Sequence, residues 1–234
     1  MKSNSKTNQF DEISGRYDAE IVESLGCFGK FRQSILSYKT QYLKYLLPCE
    51  PKSILDFGCG IGLNVPYLHQ YFPNTKLYGC DISNESIRLA RSNIRYCTFD
   101  TIETVEDMVK RYEKKVDCVF ACAVLHHIPH PEHEKWISGL YQILDKGGYM
   151  IIFEHNMKNP LTKRLIERTP MDKGAVMLDC GYCKKMLKDV FGNQSFIKHG
   201  YTYFFPWRNK TFTGIEHQLF WLPLGAQYYV LARK

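Results

Sequence analysis

The chain has 234 residues, 44% of them hydrophobic and 14% aromatic, enough for the core of one ordinary domain with or without an elaboration. No apolar run approaches the ~20 residues of a membrane span, and residues 1–10 lack the hydrophobic region of a signal peptide. The nine cysteines are scattered, which suits reduced thiols in a cytoplasmic protein better than a disulfide framework.

The net charge of +7 is carried by the last third of the chain. Residues 1–156 have 18 Lys and Arg against 19 Asp and Glu, whereas residues 157–234 have 13 against 5. One interpretation is a solvated basic surface, and the other is a binding site for an anionic small molecule.

In chain order, residues 1–10 are predicted to be disordered and residues 11–50 to form helices. Apolar residues recur at helical spacing between 28 and 47, and Pro48 ends that helix. Strands and helices then alternate. The predicted strands are 53–57, 76–80, 95–99, 117–122, 148–154, 197–205 and 226–233, and the further helices are 62–71, 84–93, 103–114, 131–144 and 180–191. Asn84 is the predicted cap of the second of these helices.

This alternation predicts an α/β domain over residues 51–234, with a doubly wound, mostly parallel sheet covered on both faces. The pattern breaks after residue 156. Residues 157–178 contain two prolines and are predicted to be a loop-rich insertion facing a substrate.

The stretch 54–64 reads as strand, tight turn and helix, with an acid, Asp56, before three glycines at every second position. Glycines permit unusual turn angles and close approach of a ligand, and the following helix offers free N–H groups at its start. This predicts a cofactor-binding turn. Its G-x-G-x-G spacing differs from the G-x-G-x-x-G of nicotinamide and flavin sites, and Asp81 ends the next strand.

In this order, D-x-G-C-G-x-G followed by a strand-ending Asp resembles motifs I and II of class I S-adenosylmethionine-dependent methyltransferases. The resemblance implies S-adenosylmethionine as cofactor and a Rossmann-like sheet of seven strands, the last antiparallel, with N-terminal lid helices. It also implies that Asp81 holds the ribose hydroxyls and that Asp56 lies near the methionine ammonium. The other cofactor residues it implies are Gly58 and Gly60, which leave room, Ile82, Asp100 near the adenine amino group, the backbone of Ala121, and Tyr17 in the lid, with Lys39 a weaker candidate.

Two predicted strand ends carry the candidate catalytic residues. Methyl transfer to a hydroxyl needs a proton acceptor, for which neutral histidine oriented by a carboxylate is well suited. His126 or His127 after the fourth strand, with Glu154 at the end of the fifth, supplies that pair. The layout resembles sugar O-methyltransferases of natural-product pathways, and the sequence does not decide between the two histidines.

The predicted substrate-binding residues are His155, Asn156 and Tyr203. One alternative function is N-methylation of a small amine, whose cation Glu154 and Tyr203 would hold. A second is RNA modification or nucleic-acid binding, which the basic last third suggests. No appended RNA-binding module or basic–aromatic motif supports that alternative, so a nucleic-acid partner is not favoured. The oligomeric state is left open.

A metal site is not predicted. Four histidines lie between residues 126 and 133, but two prolines interrupt them and no carboxylate–histidine helical pair accompanies them. Cys180 and Cys183 lack the second cysteine pair of a zinc site and a thioredoxin-like context.

Phe153-Glu-His-Asn156 and the tail 221–229 resemble a bacterial subgroup of class I methyltransferases, often linked to surface-glycan or secondary-metabolite pathways. A sugar or nucleotide-linked sugar is therefore the first choice of acceptor. The subgroup usually has proline after E-H-N, where this chain has Met157, and C-P-F-D where it has Thr169-Pro-Met-Asp172. Both departures lie in the insertion, so the sequence leaves the acceptor open.

Overall fold

The computed structural model describes residues 32–113, 116–192, 195–205 and 210–234. Its strands are β1 (Ser53–Phe57), β2 (Lys76–Asp81), β3 (Cys97–Thr101), β4 (Val116–Cys122), β5 (Leu144–His155), β6 (Ile197–Thr202) and β7 (Gln227–Arg233). Its helices are α1 (Arg32–Leu46), α2 (Val65–Tyr71), α3 (Asn84–Asn93), α4 (Val105–Tyr112), α5 (His133–Ile143), α6 (Pro160–Ile166), α7 (Cys180–Phe191) and α8 (Lys210–Gln218).

The seven strands form one sheet in the order β3-β2-β1-β4-β5-β7-β6. Neighbours from β3 to β5 pair in parallel, whereas β7 is antiparallel to both β5 and β6. The predicted doubly wound fold with an antiparallel last strand is therefore confirmed. The chain runs outward from β1 to β3 and restarts at β4 beside β1, so the switch point, where such sheets bind ligands, lies between β1 and β4.

Both faces of the sheet are covered, which explains why β1 is buried along its whole length. Buried apolar residues of α1, α2 and α3 form a core on one face. Those of α4, α5 and α7 form a core on the other face. Apolar side chains on both sides of the central strands therefore hold their carboxyl ends rigidly at the switch point.

Several local predictions differ from the structure. β5 begins at Leu144 and not at residue 148, and β6 ends at Thr202 and not at residue 205. The cap of α3 is Ser83, whose side chain accepts a hydrogen bond from the Ser86 amide, and not Asn84. β3 begins two residues later than predicted, because Tyr96 stacks on His69 beside the strand instead of joining it.

The segments taken as loops contain two helices, α6 and α8. Asn159 caps α6 by accepting hydrogen bonds from the amides of Leu161 and Thr162, and Pro160 occupies its first turn. An Asn-Pro pair is thus a helix start here, although prolines were taken as loop signals.

Among the described residues, no helix is both long enough and apolar enough to cross a bilayer. The eight cysteines within the described ranges are all free thiols, as predicted.

Candidate active site

The glycine turn after β1 has the backbone that its sequence demands. Gly58, Gly60 and Gly62 have φ values of +71°, +52° and +83°, a region that disfavours other residues. A Cβ on Gly58 would lie 2.2 Å from Cγ2 of Val124. Gly58 is therefore needed so that the loop after β4 can pack against the turn, a reason different from the predicted room for a ligand.

Asp56 is buried below this turn, with 1% of its surface exposed. Neither carboxylate oxygen has a hydrogen-bond partner of good geometry, although the Asn64 side chain is near enough to lower the pKa of Asp56 slightly. Burial and then the neighbouring charge of Asp81 raise the pKa of Asp56 to about 8, against smaller opposing effects of Asn64 and Lys39. A buried carboxylate left in this state is suited to a cationic ligand, because an opposite charge would restore its ionised form.

Asp81 ends β2 and joins the loop after β1 to the loop after β2. Its oxygens accept hydrogen bonds from the amides of Gly60, at 2.8 Å, and Ser83, at 2.9 Å. Half-buried Ile82 follows it. A carboxylate has about four acceptor positions, so Asp81 can fix the glycine turn and still accept from a diol.

The remaining predicted cofactor residues divide into those near the switch point and those elsewhere. Ala121 is buried and pairs with Phe57, at the end of β1. The Asp100 carboxylate instead accepts from Arg111, at 2.9 Å, and Tyr112, at 2.8 Å. Asp100 thus ties β3 to α4, and its predicted contact with adenine has no support from this geometry.

Two lid candidates have different outcomes. Tyr17 lies outside the described residues. Lys39 of α1 is buried at the switch point, where its ammonium donates to Sγ of Cys122 at 2.8 Å.

The predicted catalytic residues meet in one buried cluster, which we call the histidine–carboxylate cluster: Glu154, His126, Asp172 and His127. Glu154 Oε2 lies 2.5 Å from His126 Nδ1, and Asp172 Oδ1 lies 3.1 Å from His126 Nε2. Asp172 Oδ1 is also 3.6 Å from His127 Nε2. The His126 side chain has no exposed surface, whereas 17% of the His127 side chain is exposed.

Local structure places each member of this cluster. Ala123 follows the end of β4, and its positive φ of 53° turns the chain into a single 3₁₀ turn at Leu125–His127. Glu154 Oε1 accepts from the Leu125 amide, so the same carboxylate fixes both that turn and the His126 ring. Asp172 lies in the segment between β5 and α7.

The charges of the cluster are strongly coupled. Burial alone would lower the pKa of His126, but the charges of Glu154 and Asp172 and the hydrogen bonds to them outweigh it and raise the pKa to about 10. Burial opposes ionisation of the two carboxyl groups, yet His126 keeps the pKa of Glu154 and of Asp172 below its usual range. His126 has both nitrogens engaged and holds its proton at neutral pH, so it is poorly placed to act as a base.

The three predicted substrate residues do not form one group. The His155 ring lies 5.6 Å from that of His126, and burial followed by the His126 charge lowers the pKa of His155 to about 4. Asn156 uses its amide nitrogen on the carbonyls of Pro223 and Gly225, so its role is to fix a loop. The Tyr203 ring packs against Tyr38 of α1, with centroids 5.0 Å apart.

The other histidine and cysteine features are structural. His133 Nε2 contacts the carbonyls of Leu125 and Ile128, and its Nδ1 contacts the Tyr182 hydroxyl. It therefore fixes the loop that presents His126. Cys183 lies 3.3 Å from the Tyr228 hydroxyl, and burial raises its pKa, as expected of an inert core thiol.

Sequence reasoning named Asp172 only as part of a departure from a family pattern and gave it no role. Its acidic character and its place in an insertion expected to face the substrate were the available signals. The distance of 45 residues from His127 concealed the contact.

Part of the chain is similar to proteins of known family. Residues 54–148 match the profile of a family described as "Methyltransferase domain". The matched segment contains the glycine turn, Asp81 and the two adjacent histidines.

Solved structures agree on its fold. A SAM-dependent methyltransferase from Thermotoga maritima superposes with a TM-score of 0.66 at 18% identity, covering 98% of this chain and 99% of that one. The plantazolicin methyltransferase, solved with SAH, has a TM-score of 0.63 at 18% identity and covers 100% and 97%. The predicted Rossmann-like methyltransferase fold is thus confirmed. The family match over residues 54–148 supports the predicted enzyme class and the cofactor S-adenosylmethionine.

Curated relatives are more similar in sequence over the matched part, and they are longer than this chain. The trans-aconitate 2-methyltransferase of Pseudomonas aeruginosa is 28% identical over 167 residues, 67% of this chain and 55% of its own length. A tRNA N(3)-methylcytidine methyltransferase of Drosophila melanogaster is 27% identical over 114 residues, 45% of this chain and 35% of its own. The chain thus spans from about a third to a little over half of these relatives. The predicted likeness to sugar O-methyltransferases stays a prediction.

Proposed function

We propose that this methyltransferase domain methylates an oxygen atom of a small anionic acceptor, with a sugar or nucleotide-linked sugar hydroxyl as the first choice. The observation that carries the proposal is the histidine–carboxylate cluster at the carboxyl ends of β4 and β5, beside the switch point. When bound, S-adenosylmethionine supplies an electrophilic methyl group on a cationic sulfur. The acceptor O–H becomes O–CH₃, and one proton is released.

The cofactor half of the site fits this assignment. The carboxylate of Asp56, buried without a hydrogen bond of good geometry, is suited to the ammonium of the methionine portion, and Asp81 retains acceptor capacity for the ribose hydroxyls. Ile82 and the backbone of Ala121 border the same switch point. Each of these contacts is a proposal drawn from the family resemblance and supported by the burial and hydrogen bonding described above.

One prediction tests Asp81. Replacing it with alanine should weaken S-adenosylmethionine binding by about 1.5–3 kcal/mol, since hydrogen bonds to a charged group are lost. Titration calorimetry with the cofactor and with its demethylated product measures this. Because Asp81 also holds the Gly60 amide, Asp81→Asn, which keeps one acceptor oxygen, is the matched variant. Wild-type affinity in Asp81→Ala would remove Asp81 from the cofactor site.

On the acceptor side, the cluster is the unit that removes the hydroxyl proton. His126 is buried between two carboxylates, so the exposed end, His127 with Asp172, is the part that an acceptor can reach. Glu154 and His126 hold that end in place. This refines the predicted base to His127. Asp172 is the carboxylate next to His127, whereas Glu154 contacts His126 instead.

The anionic character of the acceptor is supported by charge. Lys158, Lys163, Arg164 and Arg168 are all exposed on the insertion that delivers Asp172. Trans-aconitate, in the name of one relative, is itself a small anion. The basic side chains support an anionic acceptor, and the name of the relative favours a small one.

The test is turnover with isotope-labelled cofactor over a panel of small acceptors, each with and without its phosphate or carboxylate, and with tRNA as a separate arm. The charged forms should be methylated more efficiently, and their advantage should shrink as salt rises, since exposed charges are screened within about 8–10 Å at 0.1–0.15 M salt. Methylation of nitrogen, activity on tRNA alone, or equal efficiency of charged and uncharged forms at every salt concentration would contradict the proposal.

A further inference from the structure

We propose that His126, His127 and Asp172 bind one divalent transition-metal ion, with Glu154 as the carboxylate that orients His126. Binding of the ion stands on the geometry alone. Its role, to hold and acidify the acceptor oxygen, rests on the proposed function. In the metal-loaded protein this role replaces proton removal by His127, whose Nε2 is then a ligand.

The three donor atoms converge. Nε2 of His126, Nε2 of His127 and a carboxylate oxygen of Asp172 all lie within 4.8 Å of one another, the one such group among the described residues. Asp172 Oδ1 is 3.1 Å and 3.6 Å from the two nitrogens. Ligands placed about 2.0–2.2 Å from one zinc ion in tetrahedral geometry are roughly 3.3–3.5 Å apart. The two carboxylate–nitrogen distances thus fit ligands of one ion, and the two nitrogens, at most 4.8 Å apart, are close enough to approach the same ion.

Glu154 decides which nitrogen of His126 faces the other ligands. A carboxylate only accepts, so His126 Nδ1, 2.5 Å from Glu154 Oε2, carries a hydrogen. In the neutral ring, Nε2 then points a lone pair at Asp172 Oδ1, another acceptor. Two acceptors at 3.1 Å need a cation between them, either a second proton or a metal ion. A carboxylate behind a ligating histidine is the usual outer support of a metal site.

The donor set indicates the class of metal. Two imidazoles and one carboxylate suit zinc, iron(II) and similar ions, whereas magnesium and calcium prefer oxygen ligands throughout. Three protein ligands leave coordination positions open, as in catalytic sites. The partly exposed His127 side places those positions toward the acceptor, where a bound cation lowers the pKa of an oxygen ligand.

The sequence pointed away from this site for a physical reason. The spacing among residues 126–133 fits no single-segment motif, and His133 is committed to backbone carbonyls. The third ligand comes from the insertion, and a regular motif is not required when the fold supplies the convergence.

The experiment uses the full chain, stripped with a chelator and titrated with Zn²⁺ in a calorimeter, followed by elemental analysis after desalting. One equivalent should bind. His127→Ala and Asp172→Asn should each weaken binding at least 100-fold, and Glu154→Gln about 10–100-fold. The Co²⁺-loaded protein should show nitrogen and oxygen ligation, without thiolate charge-transfer bands.

Cys180→Ala is the control for adventitious binding at the cysteine pair and His199→Ala for a half-buried histidine elsewhere, and both should bind like wild type. No stoichiometric uptake, or uptake lost in Cys180→Ala and kept in His127→Ala and Asp172→Asn, would overturn the inference and leave only a proton in the cluster. None of these readouts involves turnover, so a failed metal site and a failed acceptor assignment are distinguishable.

Discussion

Replacing Asp56 with asparagine should stabilise the ligand-free protein at pH 8–9 while removing most of its affinity for S-adenosylmethionine. The pKa of Asp56 is raised from the ordinary 3.8 to about 8, so between these pH values the folded state holds a proton that the unfolded state has lost. Stability therefore falls as the pH rises through this window. Each tenfold change in acidity corresponds to about 1.4 kcal/mol, so even half of this shift amounts to roughly 3 kcal/mol.

Chemical denaturation of wild type and Asp56→Asn from pH 4 to 9 measures this effect. The two proteins should differ little near pH 4 and diverge above it, and calorimetry should show the variant binding the cofactor at least about 10-fold more weakly. Asp81→Asn is the contrast: its carboxylate has two amide donors, so it should lose stability. An Asp56→Asn protein that is less stable at pH 8, or binds the cofactor normally, would show that Asp56 is satisfied by the protein itself.

Alanine substitution of the two adjacent histidines should affect different properties: mainly stability at His126 and mainly turnover at His127. His126→Ala leaves two buried carboxylates without their shared cation, which should lower the free energy of unfolding by about 3–5 kcal/mol. His127→Ala, at the exposed end of the cluster, should cost only about 1 kcal/mol of stability. It should nevertheless lower turnover by about 10²–10⁴, because the proton acceptor is lost. Cofactor affinity should stay near normal.

Paired denaturation and turnover measurements test this division, with His199→Ala on β6 as the matched control that should change neither quantity much. The double variant His126→Ala/Glu154→Leu, which also removes one buried charge, should recover part of the stability that His126→Ala loses, so it can be assayed where the single variant does not fold. That double variant should stay inactive. Turnover retained in His127→Ala, or a His126→Ala protein as stable as wild type, would refute the assignment.

Much of the cofactor half could be predicted from the sequence because its residues are close along the chain. Asp56, the glycine turn and Asp81 belong to one β-α-β unit, where local spacing determines spatial proximity. The strands β1, β2 and β4 were predicted to within a residue, since buried parallel strands form short apolar runs bounded by turns.

The acceptor half depends on contacts between distant residues, and there the sequence was a weaker guide. Asp172 joins His126 across 46 residues. Asn156 follows the catalytic strand end, yet its amide is used on a loop almost 70 residues away. Residue type and position near a strand end therefore did not distinguish a reactive side chain from one that anchors a loop. The hydrogen-bond partners seen in the structure make that distinction.

The loop anchored by Asn156 has a consequence for the origin of acceptor specificity. Four side-chain hydrogen bonds, from Asn156, Asn159 and Thr162, join the start of the insertion to carbonyls of residues 223–226, just before β7. If only the insertion between β5 and α7 were taken from a relative, its side chains would lack the matching backbone carbonyls before β7. We expect the two segments to behave as a single exchangeable cassette, so chimaeras with altered acceptor choice should require both pieces from the same donor.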